Sequence, residues 1–165
     1  MRRPPPRRLD RPAPPALAVA VRMLARRDYG RAELRERLIG RGVAEADADA
    51  ALDELARRGL LSDLRYAEAV VAQKAGRYGR RAIAHALREK GVDEAAAASA
   101  LASLAGRDEV AEALALWRRR YGAPPAGERE KARQVRFLLA RGYSMSVALK
   151  ALRAAASLPD DDSPA

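Results

Sequence analysis

The stretch "YGRAELRERLIGRGV" at residues 29–43 is followed later in the chain by a near copy, "YGRRAIAHALREKGV", at residues 78–92. Six of the fifteen positions are identical, including the leading Tyr-Gly, one internal leucine and the closing Gly-Val. The apolar spacing and the late glycine are typical of a short helix whose end reverses through a positive φ. Because the two stretches begin 49 residues apart, the chain is predicted to consist of repeated helical units.

The periodicity continues outside these two stretches and into the last third of the chain. At an offset of 49 residues, the matched apolar pairs are Val21 with Val70, Leu34 with Ile83, Leu52 with Leu101 and Leu55 with Leu104. At an offset of 51 residues, the matched pairs are Leu87 with Leu138, Gly91 with Gly142 and Leu101 with Leu152. No segment alternates apolar and polar residues, so strands are not expected.

These patterns predict an all-α fold of three tandem three-helix repeats, similar to helix-turn-helix units, that form an elongated, curved solenoid. The predicted parts are a flexible Pro/Arg-rich arm (1–15), three repeats (16–61, 62–106, 107–156) and a flexible acidic tail (157–165). One such unit buries little apolar surface alone, so neighbouring units are expected to share a continuous core.

Within this scheme, individual residues receive structural roles. The leucines assigned to the core are Leu34, Leu38, Leu52, Leu87, Leu101, Leu138 and Leu152. The first helix is predicted to run to about Arg27 and to bury Leu17, Val21, Leu24 and Ala25. Ser62, Asp93 and Ser144 are predicted to cap helix N-termini.

Composition narrows the class of protein. The net charge of +10 favours a polyanionic or acidic partner, although a GC-rich genome also raises the arginine content and with it the net charge. The surplus is uneven: residues 1–15 carry +4 and residues 107–156 carry +6, whereas residues 16–61 carry only +1. The chain has no cysteine, no long apolar run and no recognisable signal peptide, so we expect a monomeric cytoplasmic protein that does not contact membranes. Aromatic residues make up only 4% of the chain, so base stacking is not expected to dominate.

The sequence offers no catalytic constellation. His85 is the only histidine, and a general base needs a partner and a pocket, so it is interpreted as a surface or partly buried helix residue. Acidic pairs such as Asp53-Glu54 and Asp108-Glu109 are adjacent on a helix and point apart. Ser62-Asp63 is better explained by capping than by nucleophilic chemistry. No enzyme activity, cofactor or metal is therefore expected.

The basic residues allow two interpretations. Pairs such as Arg26-Arg27 and Arg57-Arg58 lie near predicted helix C-termini, where they complement the helix dipole without any partner. Alternatively, basic residues at equivalent positions of stacked repeats form a stripe that follows a polyanion. The predicted contact residues are Arg31, Arg80, Arg81, Lys90, Arg133, Arg136 and Arg141.

Three motifs together resemble the RecX family of regulatory proteins, over roughly residues 16–156. The junction motif is carried by Gly59, Leu60, Asp63, Arg65, Tyr66 and Ala67. The central motif is carried by Gly79, Ile83, Leu87, Lys90, Gly91 and Val92. The third motif is carried by Lys131, Phe137, Leu138, Arg141, Gly142 and Tyr143.

The resemblance implies a non-enzymatic modulator of the RecA recombinase. Members of this family bind RecA–DNA filaments, lie in the filament groove, and restrain filament growth, ATP hydrolysis, strand exchange and the repressor cleavage of the SOS response. The expected partner is therefore the RecA nucleoprotein filament, with single- or double-stranded DNA as a further partner of the basic face and arm. A stand-alone basic helical DNA-binding protein is the alternative that the charge leaves open.

Overall fold

The computed structural model describes residues 15–157, so the predicted N-terminal arm and the acidic tail beyond Ser157 lie outside the described residues. Within this range the chain forms nine helices and no strand, as predicted. They are α1 (Ala16–Leu24), α2 (Arg31–Ile39), α3 (Glu45–Arg57), α4 (Asp63–Lys74), α5 (Arg80–Glu89), α6 (Glu94–Ala102), α7 (Glu109–Arg120), α8 (Glu128–Ala140) and α9 (Met145–Ala156). We call α1–α3 repeat 1, α4–α6 repeat 2 and α7–α9 repeat 3.

Side-chain caps set the start of several helices. Ser62, Asp93 and Ser144 accept hydrogen bonds from backbone N–H groups three residues later, which confirms the three predicted caps. Asp108 caps α7 in the same way. The second helix of each repeat differs, because its N-cap is a glycine without a side chain.

Each repeat has a hydrophobic core of its own. The buried residues form three separate clusters, one within each set of three helices. All seven leucines assigned to the core are buried, with exposures of 9% or less. The expectation of one continuous core is wrong, because the first and third helices of a unit pack against each other and close its own apolar surface.

The first helix of each repeat packs through a small residue. Ala20, Ala67 and Ala113 are fully buried where that helix packs against the third helix of its repeat. Of the residues predicted for the apolar face of α1, Leu17 and Leu24 pack against the core, whereas the prediction is wrong for Val21, which is 41% exposed, and for Ala25, which follows the end of the helix at Leu24. The buried positions of α1 and α4 are related by 47 residues rather than 49, because α4 has 12 residues and extends further past its buried alanine than α1, which has 9.

In repeats 2 and 3, the glycine after the second helix touches the repeat before it. Gly91 has a φ of +64°, and a Cβ there would lie 2.8 Å from the Cβ of Ala32. Gly142 has a φ of +87°, and a Cβ there would overlap Ala82. The equivalent Gly42 in repeat 1 has a similar φ of +86° but faces open space. The recurring glycine is therefore needed for backbone conformation in all three repeats and for close approach in the last two.

Repeat 3 buries three side chains that carry polar groups, Trp117, Gln134 and Tyr143. The indole Nε1 of Trp117 donates to Oε1 of Gln134 at 2.7 Å, and both side chains are buried. The hydroxyl of Tyr143, also buried, has no hydrogen-bond partner within the described part of the chain. Burial raises the pKa of Tyr143 to about 12. None of the described helices is long and apolar enough to cross a membrane.

The paired glycines give a matched test of this packing. Gly42→Ala and Gly142→Ala introduce the same left-handed alanine, which costs about 1 kcal/mol. Only Gly142→Ala also forces a side chain into repeat 2, so we expect its free energy of unfolding to fall by about 1–3 kcal/mol more than that of Gly42→Ala. Urea unfolding followed by Trp117 fluorescence and by circular dichroism measures both. Equal losses would show that the contact between repeats contributes no stability.

Tyr143→Phe removes a buried hydroxyl that has no partner, so we expect it to stabilise the protein by about 1 kcal/mol. Because the folded pKa is about 12 and the ordinary value is 10.0, the unfolded chain ionises first as the pH rises. Wild-type stability should therefore fall between pH 10 and pH 12 more steeply than that of the variant. Thermal unfolding at pH 7, 10 and 11 measures the difference, and parallel pH profiles would contradict the assignment.

Candidate functional site

The repeats are joined where the second helix of one unit meets the first helix of the next. The second helices α2 and α5 begin after Gly30 and Gly79, which leave the first-turn N–H groups without a side-chain cap. In each case a carboxylate from the following repeat accepts one of these N–H groups. This carboxylate belongs to the first residue of the first helix of the following repeat. At that position its negative charge also interacts favourably with the dipole of the helix that carries it.

Asp63 joins repeat 1 to repeat 2. Its Oδ1 accepts the backbone N–H of Arg31 at 2.7 Å, and its Oδ2 accepts the backbone N–H of Asp93 at 2.9 Å. Tyr66 lies beside it and packs on Gly30, and its hydroxyl is 3.4 Å from Oε2 of Glu33. The junction motif of the sequence is therefore a structural contact between two repeats.

Glu109 joins repeat 2 to repeat 3 in the equivalent way. Its Oε1 accepts the backbone N–H of Arg80 at 3.2 Å. The backbone N–H of Gly79 donates to the carbonyl oxygen of Arg141 at 2.8 Å, and a Cβ at Gly79 would overlap the backbone of Gly142. Repeat 3 differs, because α8 has no such side-chain cap; Glu130 on α8 instead accepts the N–H of Ala126, which precedes the helix, at 2.8 Å.

Two of the predicted contact residues have structural partners. The guanidinium of Arg31 pairs with Asp53 at 2.6 Å. The guanidinium of Arg80 donates to the carbonyl oxygen of Leu101 at the end of α6, at 2.7 Å. Both side chains therefore help to hold a repeat together, in addition to any contact with a partner.

Lys90 and Arg141 occupy equivalent positions but different surroundings. Lys90 borders a shallow depression between repeats 1 and 2 that is also lined by Glu33, Glu36 and Glu89. The guanidinium of Arg141 instead lies over aromatic rings at the contact between repeats 2 and 3. The equivalent positions therefore differ in local charge, which is mixed around Lys90 and basic and aromatic around Arg141.

The remaining predicted residues are exposed on second helices. Arg81 on α5 and Arg136 on α8 have no carboxylate within salt-bridge distance among residues 15–157. Arg133 is 3.3 Å from Glu130, one turn earlier on the same helix, and its side chain is 61% exposed. An exposed pair of this kind contributes little stability, so Arg133 is also accessible to a partner.

Repeat 3 carries an excess of basic side chains because its acidic side chains are already engaged. Asp108 and Glu109 cap helices, and Glu112, Glu128 and Glu130 pair with Arg107, Lys131 and Arg133. Within residues 15–157, the basic residues of repeat 3 left without a carboxylate partner are Arg118, Arg119, Arg120, Arg129, Arg136, Arg141, Lys150 and Arg153. In repeat 1, by contrast, Arg27, Arg31, Arg35, Arg37, Arg57 and Arg58 are all in salt bridges.

No catalytic or metal site is evident in the part of the chain that the structure describes. Within it, no three histidine, aspartate or glutamate side chains lie close enough together to hold a metal ion. His85 is a surface residue, as predicted, with Nε2 3.3 Å from Glu89 and a side chain that is 64% exposed.

Models of three successive three-helix domains of one family match the chain. The first domain matches residues 16–55, the second residues 62–101 and the third residues 107–152. The chain belongs to the RecX family. It is 39% identical over 144 residues to "Regulatory protein RecX" of Ralstonia nicotianae, covering 87% of this chain and 90% of the relative. It is 44% identical over 140 residues to "Regulatory protein RecX" of Thermus thermophilus, covering 85% and 92%.

Solved RecX structures share the fold. A crystal structure of RecX from Lactobacillus salivarius aligns with a TM-score of 0.74 at 20% identity, covering 87% of this chain and 96% of that one. A second RecX crystal structure aligns with a TM-score of 0.70 at 22% identity, covering 80% and 68%. The predicted all-α repeat fold and the family resemblance are thus confirmed.

Asp63→Asn tests the cap between repeats. The replacement keeps the shape, but its amide nitrogen must face one of the two N–H groups that the carboxylate now accepts. We expect the free energy of unfolding to fall by about 1–3 kcal/mol. We also expect the amide hydrogens of Arg31 and Asp93 to exchange faster with solvent. Glu68→Gln, on the exposed part of the same helix, is the matched control, and equal effects of the two would contradict the role of Asp63.

Proposed function

We propose that this protein binds RecA–DNA filaments and restrains RecA in recombination, ATP hydrolysis and the repressor cleavage of the SOS response. The observation that carries the proposal is the match of all three successive RecX domains in one chain. In this proposal the protein acts in the cytoplasm, where RecA acts, and as a monomer.

The arrangement of repeats supports such a role. A filament repeats along its axis, and three units joined by short polar contacts present a repeated surface to it. The charge supports it as well, because the unpaired basic side chains of the described residues are concentrated away from repeat 1. Basic groups without internal partners are free to meet phosphates or acidic protein surfaces.

The proposed contact residues remain Arg31, Arg80, Arg81, Lys90, Arg133, Arg136 and Arg141. Among them, Arg81, Arg133 and Arg136 are the most suitable for mutation, because their side chains are exposed and hold no other element in place. Arg80 is less suitable, because its guanidinium bonds the end of α6.

Single-strand-DNA-dependent ATP hydrolysis by the cognate RecA is the first test. We expect this protein to inhibit hydrolysis at amounts well below those needed to coat the DNA, because a bound regulator acts on several RecA protomers. Inhibition only at DNA-saturating amounts would indicate competition for DNA and favour the stand-alone DNA-binding alternative. Absence of any binding to RecA filaments by the folded protein would contradict the proposal.

The double variant Arg81→Gln/Arg136→Gln tests the basic contact. We expect the concentration for half-maximal inhibition to rise about tenfold, which corresponds to about 1.4 kcal/mol. Circular dichroism should show unchanged helicity. The control is Arg35→Gln/Arg37→Gln, which removes the same charge from arginines that are salt-bridged to Glu33, Asp49 and Glu45 in repeat 1. Equal losses of inhibition in the two variants would mean that net charge, rather than position, governs binding.

A further inference from the structure

A row of cations and aromatic rings crosses the contact between repeats 2 and 3. We call this row the seam cluster. Its members are Lys74, Tyr78, Arg141, Phe137, Tyr121 and Arg120. All six side chains are at least partly exposed, and only Arg141 was among the contact residues predicted from the sequence.

The centre of the row is Arg141. Its guanidinium lies 5.4 Å from the ring centre of Tyr78 in repeat 2 and 5.4 Å from the ring centre of Phe137 in its own repeat. The ammonium group of Lys74 lies 4.9 Å from the ring centre of Tyr78. Both cations are therefore placed by attraction to ring faces rather than by a carboxylate.

The row continues beyond Phe137. The ring of Tyr121 meets that of Phe137 edge to face, with centres 5.5 Å apart and planes at 85°. The guanidinium of Arg120 lies 5.5 Å from the ring centre of Tyr121. Three positive charges are thus held along one line of side chains from α4 to α7.

Repeat 1 provides an internal comparison. Tyr29 is equivalent to Tyr78 and also has two cations over its ring, from Arg27 at 3.6 Å and Arg37 at 5.6 Å. There, however, Glu33 pairs with both arginines, at 2.6 and 3.1 Å. The hydrogen bond from Arg27 keeps the pKa of Glu33 below its ordinary value, so the carboxylate is charged at neutral pH.

The neutralising carboxylate is missing in repeat 2. The position equivalent to Glu33 is Ala82, 49 residues later. Two other carboxylates, Glu109 and Glu112, line the small cavity beside Tyr78. Glu109 already accepts the N–H of Arg80, and Glu112 already pairs with Arg107 at 2.6 Å. Neither carboxylate lies within salt-bridge distance of Lys74 or Arg141, so the charge on these two cations remains available to an external anion.

The geometry decides between kinds of anionic partner. The ring faces of Tyr78 and Phe137 carry cations, so they are not open platforms for stacked bases. A protein partner with acidic side chains would also need an apolar anchor at the centre of the contact. The seam cluster offers partly exposed ring edges and charge instead, which suits a closely spaced row of phosphates.

We propose that the seam cluster binds the phosphodiester backbone of a DNA strand, with Arg141, Lys74 and Arg120 contacting phosphates. Tyr78 and Phe137 are positioning residues that hold Arg141 in place. The proposal rests on the function proposed above, since the strand concerned is the one that a RecA filament carries. It adds which part of the chain meets the DNA rather than the protein.

Binding of the full chain to fluorescein-labelled oligo(dT), without RecA, tests the site by fluorescence anisotropy. The salt concentration is varied between about 50 and about 300 mM, over which the Debye length falls roughly 2.5-fold. Loss of one phosphate contact should weaken binding about fivefold at about 0.1 M salt and reduce the salt slope by about 0.7. We expect this result for both Arg141→Gln and Lys74→Gln. Trp117 fluorescence, which reports on the core of repeat 3, verifies that each variant is folded.

Two controls separate position from net charge. Arg37→Gln removes the same charge from the neutralised site in repeat 1 and should change affinity by less than about twofold, since its charge is already balanced by Glu33. Tyr78→Leu keeps every charge but removes the ring, so it should weaken DNA binding, whereas Tyr78→Phe should restore it. Retained affinity in Tyr78→Leu would overturn the positioning role.

A competition arm with poly-glutamate tests the other partner class. If poly-glutamate displaces the DNA only at concentrations whose ionic strength alone accounts for the loss of binding, the result supports the phosphate site. The phosphate site is overturned if Arg141→Gln and Lys74→Gln bind DNA with the affinity of the wild-type protein, or if the wild-type protein binds no DNA. It is also overturned if Arg141→Gln weakens the binding of poly-glutamate more than the binding of DNA. RecA ATPase inhibition by the wild-type protein, measured in parallel, tests the proposed function separately, because it can persist when the seam site fails.

Discussion

A carboxylate from one repeat caps the second helix of the repeat before it, and the packing of neighbouring units against each other depends on this contact. The second helices α2 and α5 begin after glycines, so their first N–H groups cannot be satisfied by their own N-cap side chains. Asp63 and Glu109 supply the missing acceptors from the next unit. The glycines also allow close approach, since a side chain at Gly79 would overlap the backbone of repeat 3. Backbone N–H groups that one unit leaves without an acceptor are thus hydrogen-bonded by its neighbour.

Because each unit has its own core, the residues that stabilise a unit differ from the residues that join neighbouring units. Each unit closes its own apolar cluster, and the contacts between units consist of caps, glycine turns and a few partly buried side chains. Stability of a unit therefore depends on leucine and alanine packing within it, whereas the relation between units depends on polar groups at the seams. Those polar groups lie near the surface, where an external partner can reach the side chains around them.

The sequence was sufficient to predict the helices, their grouping and most of the core, because apolar spacing and capping residues act locally. Leu34, Ser62 and Gly142 illustrate apolar spacing, capping and the glycine turn. It was not sufficient for contacts between units. Asp63 was interpreted as part of a helix cap within its own repeat, yet it also accepts an N–H from repeat 1. Val21 was wrongly paired with Val70, because the offset of 49 residues holds for the second helices but not for the first ones.

The candidate site shows why equivalent positions need not have equivalent functions. Tyr29 and Tyr78 are the same residue at the same place in successive repeats, and each attracts two cations to its ring. The cations come from different positions in the two repeats, and the following helix carries Glu33 in repeat 1 but Ala82 in repeat 2. The glutamate turns the first cluster into an internal salt bridge, whereas in the second no carboxylate of the described residues forms a salt bridge with Lys74 or Arg141. Because ring attraction restrains a guanidinium without neutralising it, such a site keeps both its geometry and its positive charge.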